Sequence, residues 1–154
     1  VALLEARGFS PEDFALSHPG GALGRRLLTH VRDVMHAKAD LPCVTPDSSL
    51  ADAVLAISRG SLGMTVICDP QDHVLGIFTD GDLRRAFGKQ LNLQEVKVSD
   101  VMTPAPKTIR ADKLAVEAVA LMEKHRINQL IVVDEQGALA GALNMHDLFK
   151  AKVV

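Results

Sequence analysis

The chain has no tryptophan and no tyrosine, and only 5 of its 154 residues are phenylalanine. Because 47% of the residues are hydrophobic all the same, we expect an aliphatic core and no aromatic platform for nucleic-acid bases. Basic runs are also missing and the net charge is −2, so neither nucleic acid nor an anionic membrane surface is a predicted partner. No apolar run approaches the roughly 20 residues of a membrane-spanning helix.

Cysteine is scarce as well, with Cys43 and Cys68 as the two examples. Both have apolar neighbours in the sequence, which predicts free, buried thiols in a reducing compartment. The two cysteines and six histidines show no spacing typical of a metal site, so we predict no metal and no required cofactor. The expected location is the cytoplasm.

What the chain does contain is an internal repeat. Val31–Met35 returns as Val98–Met102, and Gly76–Leu83 returns as Gly141–Leu148, with offsets of 67 residues (31 to 98) and 65 residues (76 to 141). Each copy is too short to bury a good core alone, so the repeat predicts two α/β halves packed with pseudo-symmetry. The contact between such halves is a natural place for a ligand.

Both halves predict the same order of elements: strand, helix, strand, strand, helix. Runs of β-branched residues mark the strands, and apolar residues three and four positions apart mark the helices. In the first half the elements are expected at 42–46, from 50 onward, at 64–68, 74–79 and 80–87. In the second half they are expected at 107–109, after an N-cap at Asp112, at 129–133, 139–144 and 146–152.

The two motifs that frame each half resemble those of the CBS domain, named after cystathionine β-synthase. These are Asp33-Val34-Met35 at the front and Gly-x-x-Thr-x-x-Asp, Gly76 to Asp82, at the back. The resemblance implies a fold of the α/β (α+β) class, a tandem CBS pair (a Bateman module) with a short helical N-terminal segment. Such pairs are typically regulatory sensors that bind adenosine or other nucleotides between the halves.

A further resemblance covers essentially the whole chain. Leu16–Arg25, which contains Ser-His-Pro-Gly-Gly, together with Gly63–Asp69 and Ile77–Arg85, is similar to the C-terminal part of D-arabinose 5-phosphate isomerases. Those enzymes join a SIS (sugar isomerase) domain to a CBS pair and convert ribulose 5-phosphate to arabinose 5-phosphate on the route to Kdo, a lipopolysaccharide and capsule sugar. The implied domains are 1–28, the tail of a SIS domain that is absent here, 31–87 and 98–152, the CBS domains, and 88–97, the linker.

The resemblance also implies roles and partners. His18 would belong to the sugar-phosphate site, where a near-neutral imidazole suits proton transfer, but without the SIS domain we expect the chain to be inactive. The implied effector is CMP-Kdo, acting by feedback on the isomerase. AMP, ATP or CMP is the alternative ligand, and a structural module that only holds subunits together is the third hypothesis. The expected assembly is a homodimer of CBS pairs, within a tetramer of the full-length enzyme.

Thr79 and Asp82 lie where a strand is followed by a helix, and the free N–H groups of a helix start attract phosphate. Asp82 would accept hydrogen bonds from both ribose hydroxyls. Alternatively, Thr79 or Asp80 merely caps the helix and Asp82 complements its dipole. In the second copy Asn144 replaces the threonine and Met145-His146 precedes Asp147, so we expect two clefts that differ, with Asp82 at the more important one.

The other candidates come from neighbouring positions. Arg84 and Arg85 follow Asp82 directly, and at most one of them can face the cleft. Gln129 needs a polar partner at the start of a strand. The full predicted ligand-binding set is Met64, Thr65, Thr79, Asp80, Asp82, Arg84, Arg85, Gln129, Asn144, His146 and Asp147. Apolar residues of the closing helices predict self-association through Leu83, Phe87, Leu148 and Phe149.

Overall fold

The structure is a computed structural model that describes residues 27–60 and 62–153. The predicted short helices before residue 27 and His18 lie outside the described residues. The α-helices are α1 (Val31–Val34), α2 (Leu50–Arg59), α3 (Asp80–Gly88), α4 (Ala115–His125) and α5 (Met145–Lys150). The strands are β1 (His36–Ala37), β2 (Cys43–Val44), β3 (Met64–Cys68), β4 (Val74–Thr79), β5 (Thr103–Pro104), β6 (Thr108–Arg110), β7 (Gln129–Val133) and β8 (Leu139–Asn144). Short 3-10 turns cover Lys38–Asp40 and Val98–Asp100.

The mixed α and β architecture and the order of elements in both halves are confirmed. Both hairpins, β3–β4 and β7–β8, have the predicted bounds. The predicted cap of α4 is wrong, because the Asp112 carboxylate accepts from the Arg110 guanidinium at 2.7 Å. The N-cap residue is Leu114, and Glu117 accepts its backbone N–H at 2.8 Å.

The strands form two four-stranded sheets, with orders β1-β8-β7-β6 and β2-β3-β4-β5. β1 belongs to the first half but pairs with β8 of the second, and β5 of the second half pairs with β4 of the first. We call β1 and β5 the lead-in strands. Each half thus donates its lead-in strand to the sheet of the other, which local sequence patterns did not predict.

Glycine is required where these lead-in strands pair. A Cβ atom on Gly76 would lie 2.8 Å from the carbonyl oxygen of Thr103, and one on Gly141 would collide with the carbonyl oxygen of His36. Glycine at the first position of each motif copy therefore leaves room for the backbone of the lead-in strand from the other half.

The buried side chains fall into three clusters, as expected for two sheets that each have a helical side and a shared side. The first half's helical cluster includes Phe78 and also Val98 from the second half. The second half's includes Leu143 and also Val31 from the first half. The third lies between the halves, and we call it the inter-half cluster: Leu41, Leu62, Met64, Val66, Cys68, Ile131, Leu139 and Ala142. Within the two described ranges, no helix combines the length and apolarity that crossing a bilayer demands.

Candidate ligand cleft between the halves

The end of the first motif forms a complete helix cap. Thr79 precedes α3, and its hydroxyl oxygen accepts the Asp82 backbone N–H at 3.2 Å. In return, Asp82 Oδ2 accepts the backbone N–H of Thr79 at 2.9 Å and the Thr79 hydroxyl at 3.1 Å. Capping of this reciprocal kind stabilises a helix start. The alternative interpretation of the sequence, in which these residues cap the helix, therefore describes the local geometry of Thr79 and Asp82.

The Asp82 carboxylate also bonds outside its own helix. Thr103, on the exchanged strand β5, donates its hydroxyl to Asp82 Oδ1 at 3.1 Å and lies 3.2 Å from Oδ2. Arg85 forms an ion pair with Asp82 Oδ1. Asp82 is only 6% exposed, so these donors compensate a buried charge. To accept ribose hydroxyls, as the sequence predicts, Asp82 has to release Thr103 or Arg85.

The second motif has the same geometry despite its different sequence. Asn144 Oδ1 accepts the Asp147 backbone N–H at 2.8 Å, and Asp147 Oδ2 accepts that of Asn144 at 2.9 Å. Asp147 Oδ1 lies 2.9 Å from His36 Nε2. His36 is the first residue of the lead-in strand β1, as Thr103 is of β5. In each half, the motif carboxylate therefore holds the strand donated by the other half.

An open cleft of about 210 Å³ lies between the halves on the Thr103 side. Its walls are largely apolar, and Thr103, Lys107 and Gln129 supply polar groups. The Gln129 side chain donates to the Leu62 carbonyl at 3.3 Å, a long bond that a ligand can replace. The lining residues are Met64, Ile77, Thr103, Ala105, Pro106, Lys107, Ile127, Gln129, Leu130 and Ile131.

The pseudo-equivalent space on the His36 side is filled by the protein itself. Cys43 and Thr108 are equivalent, because they pair with Val66 and Ile131 of the two central strands. His36 to Cys43 therefore spans two positions more than Thr103 to Thr108. This longer segment forms the turn Lys38–Asp40 and brings Leu41, 8% exposed, into the inter-half cluster. We call this region the filled cleft.

Of the predicted residues, Met64 and Gln129 line the open cleft, and Asp82 borders it through Thr103. Thr65 is buried and donates its hydroxyl to the Pro42 carbonyl at 2.8 Å. A further group is exposed and does not line the open cleft: Asp80, Arg84, Arg85 and His146.

The sequence analysis missed several lining residues, above all Thr103, Lys107 and Ile127. Thr103 to Lys107 follow the Asp-Val-Met motif directly, so their position after an anchor of the repeat is the signal that could have identified them.

The residues proposed for self-association also need one correction. Leu148 is completely buried in the helical cluster of the second half and cannot contribute to an interface. Leu83 is partly buried against the first half's cluster. Phe87 and Phe149 are 59% and 58% exposed.

Two pseudo-symmetric halves with exchanged lead-in strands and a cleft between their sheets define a paired domain. The chain belongs to the CBS domain family, whose model matches residues 31–89 and 98–154. Two solved structures show the same fold. The CBS domain of the bacterial CNNM/CorC family Mg2+ transporter is 19% identical with a TM-score of 0.73, covering 99% of this chain and 90% of that one.

 CBSX2 of Arabidopsis thaliana, solved in complex with AMP, is 25% identical with a TM-score of 0.68, covering 81% of this chain and 96% of that one.

Among curated proteins, the chain is similar to the arabinose 5-phosphate isomerase KdsD of Yersinia pestis. The two are 53% identical over all 154 residues of this chain, which correspond to 47% of the isomerase. The chain therefore spans about half the length of the curated relatives it matches. The resemblance predicted from the sequence, to the CBS pair of such isomerases, is confirmed.

Proposed function

We propose that this chain is the regulatory CBS pair of an arabinose 5-phosphate isomerase and binds one nucleotide or nucleotide sugar in the open cleft. The observation that carries the proposal is the open cleft itself, in a chain that is 53% identical to KdsD. In the whole protein, a SIS domain would convert ribulose 5-phosphate to arabinose 5-phosphate in the cytoplasm, for Kdo, lipopolysaccharide or capsule synthesis.

The lining of the open cleft suits a nucleotide in three ways. Met64, Ile77 and Ile127 offer apolar surface to a planar base. Gln129 has both a donor and an acceptor for the edge of that base. Lys107 is exposed at the cleft, where its ammonium group favours a phosphate or a sugar carboxylate.

CMP-Kdo is the proposed effector, because it combines a nucleotide with an acidic sugar and is a downstream product of the pathway. AMP is the second candidate, favoured by the AMP complex of CBSX2. ATP and CMP are further candidate ligands, and the thermal-shift panel described below includes both. A purely structural module is the third candidate, favoured by the motif carboxylates, which already bond to Thr103 and His36.

A thermal-shift panel with CMP-Kdo, CMP, AMP, ATP and Kdo separates these candidates, since a ligand of the folded state raises Tm by mass action. We expect the largest shift with CMP-Kdo, and calorimetry should then give one site per chain. Lys107→Met should reduce the shift, whereas Lys124→Met, at an exposed position on α4 that does not line the open cleft, is the matched control. A panel without any shift would contradict the ligand proposal and favour the structural module.

Two further expectations belong to this proposal. The purified chain should not isomerise ribulose 5-phosphate, because His18 alone lacks the positioning on which efficient catalysis depends. Turnover that survives repurification would contradict this.

The chain should also form a homodimer of CBS pairs, as part of a tetramer of the whole isomerase. The exposed phenylalanines Phe87 and Phe149 supply apolar surface for a second copy. Sedimentation should give a dimer that Phe87→Ser and Phe149→Ser weaken. A monomer at tens of micromolar protein would contradict it.

A further inference from the structure

The two cysteines lie on neighbouring strands of the first half. Cys43 pairs with Val66 in the parallel β2–β3 ladder, and Cys68 is two residues further along β3. Since alternate residues of a strand face the same side, both thiols lie on one face of the sheet. Each thiol is the neighbour with the largest influence on the pKa of the other. The predicted burial is confirmed for Cys68 and wrong for Cys43, which is exposed.

The surrounding groups favour a thiolate at Cys43. The hydrogen bond from Cys68 and the Lys38 ammonium lower the pKa of Cys43 to about 7, against the effects of burial and of the Asp72 carboxylate. Lys38 forms an ion pair with Asp72. The hydrogen bond to Cys43, burial, and the Asp72 and Asp69 carboxylates raise the pKa of Cys68. Near neutral pH, these groups favour the thiolate at Cys43, whereas Cys68 keeps its proton.

We propose that Cys43 and Cys68 form a peroxide-reactive dithiol that closes to an intramolecular disulfide. First, the Cys43 thiolate attacks one oxygen of hydrogen peroxide; the O–O bond breaks, Cys43 becomes a sulfenic acid, and hydroxide leaves. Second, the Cys68 sulfur attacks the sulfenic sulfur, the S–O bond breaks, and the oxygen leaves as water with the Cys68 proton. The two sulfurs give up two electrons, and peroxide is reduced to water and hydroxide.

The position of the pair links this chemistry to the filled cleft. Cys43 follows Leu41 by two residues, and Leu41 and Cys68 belong to the same inter-half cluster. The disulfide would tie β2 to β3 next to the turn that fills this cleft. The inference is independent of the proposed ligand, because neither cysteine lines the open cleft.

The test is to treat the folded chain with a small excess of hydrogen peroxide and measure intact mass and free thiols. We expect a loss of about 2 Da with both thiols consumed, and a Cys43–Cys68 cross-linked peptide that dithiothreitol cleaves. Cys68→Ser should stop at a Cys43 sulfenic acid that dimedone traps, whereas Cys43→Ser should react far more slowly. Lys38→Met should shift the pH midpoint of Cys43 alkylation above about 7.

Three results would overturn the proposal. They are two free thiols after treatment, a Cys43 oxidised to sulfinic acid beside an intact Cys68, or a disulfide between two chains. The wild-type mass and peptide map decide among these outcomes even where a serine variant does not fold.

Discussion

The open and filled clefts are pseudo-equivalent, but one is open to a ligand and the other is filled by the protein's own side chains. The two motifs do not explain this difference. Both motif carboxylates form the same cap and hold the first residue of a lead-in strand, Thr103 in one case and His36 in the other. The difference lies in the segment after that strand, where two additional positions bring Leu41 into the inter-half cluster. We therefore expect the length of a connecting segment, and not the motif, to decide which of the two clefts can accept a ligand.

The largest effect should come from disrupting the pairing of a lead-in strand with the sheet of the other half, which both halves share. In Gly141→Ala, the new Cβ collides with the backbone of His36, which cannot move without losing the β1–β8 pairing. We expect a loss of about 3 kcal/mol in the free energy of unfolding, the upper range for overpacking. Urea unfolding measures it. Gly88→Ala is the control, because nothing lies within 4 Å of that position, and a comparable loss there would contradict the explanation.

The next largest effect should come from truncating Leu41, the side chain that occupies the filled cleft. Leu41→Ala removes a buried side chain from the inter-half cluster and should cost about 2–3 kcal/mol of unfolding free energy, as for other core leucines. The same variant should allow a second, weaker ligand to bind, which calorimetry detects as a stoichiometry above one. Leu55→Ala, at an exposed position on α2, is the control. An unchanged stability would mean that Leu41 does not support the cluster.

Whether the sequence predicts a feature of the two halves depends on how far apart the interacting residues are along the chain. The hairpins were predicted within their bounds because β-branched runs flank turn residues, and Asp69 and Asp134 indeed each accept two backbone N–H groups in those turns. Asp112 looked like a cap, but an ion pair with Arg110 prevails. The strand exchange was missed because pairing between β1 and β8 joins residues about a hundred positions apart, which local periodicity does not encode.

The third prediction concerns ligand binding and compares the two carboxylates. Asp82 borders the open cleft through Thr103, whereas Asp147 bonds to His36 beside the filled cleft. Asp82→Ala should therefore weaken nucleotide binding by about 2–3 kcal/mol, roughly thirty- to a hundredfold, as expected for a lost charged hydrogen-bond acceptor. Asp147→Ala should change affinity less than about threefold.

Both variants keep the N-cap residue but lose the reciprocal bond of the capping box and the bond to a lead-in strand. Their stabilities should therefore fall by similar amounts while their affinities differ. Titration calorimetry on the two folded variants decides the matter. Equal losses of affinity would show that Asp82 acts only as a cap, and a reversed order would assign the ligand to the other cleft.

The smallest effect should come from repairing the second motif. Asn144→Thr restores the hydroxyl residue found at Thr79, yet Asn144 already caps α5 through a 2.8 Å bond from the Asp147 backbone N–H. Asparagine and threonine differ by only a few tenths of a kcal/mol as caps, so we expect a change below about 0.5 kcal/mol in unfolding free energy. The ligand stoichiometry should stay at one, because Leu41 still occupies the filled cleft. A second bound ligand in Asn144→Thr would show that the motif, and not the connecting segment, distinguishes the two halves.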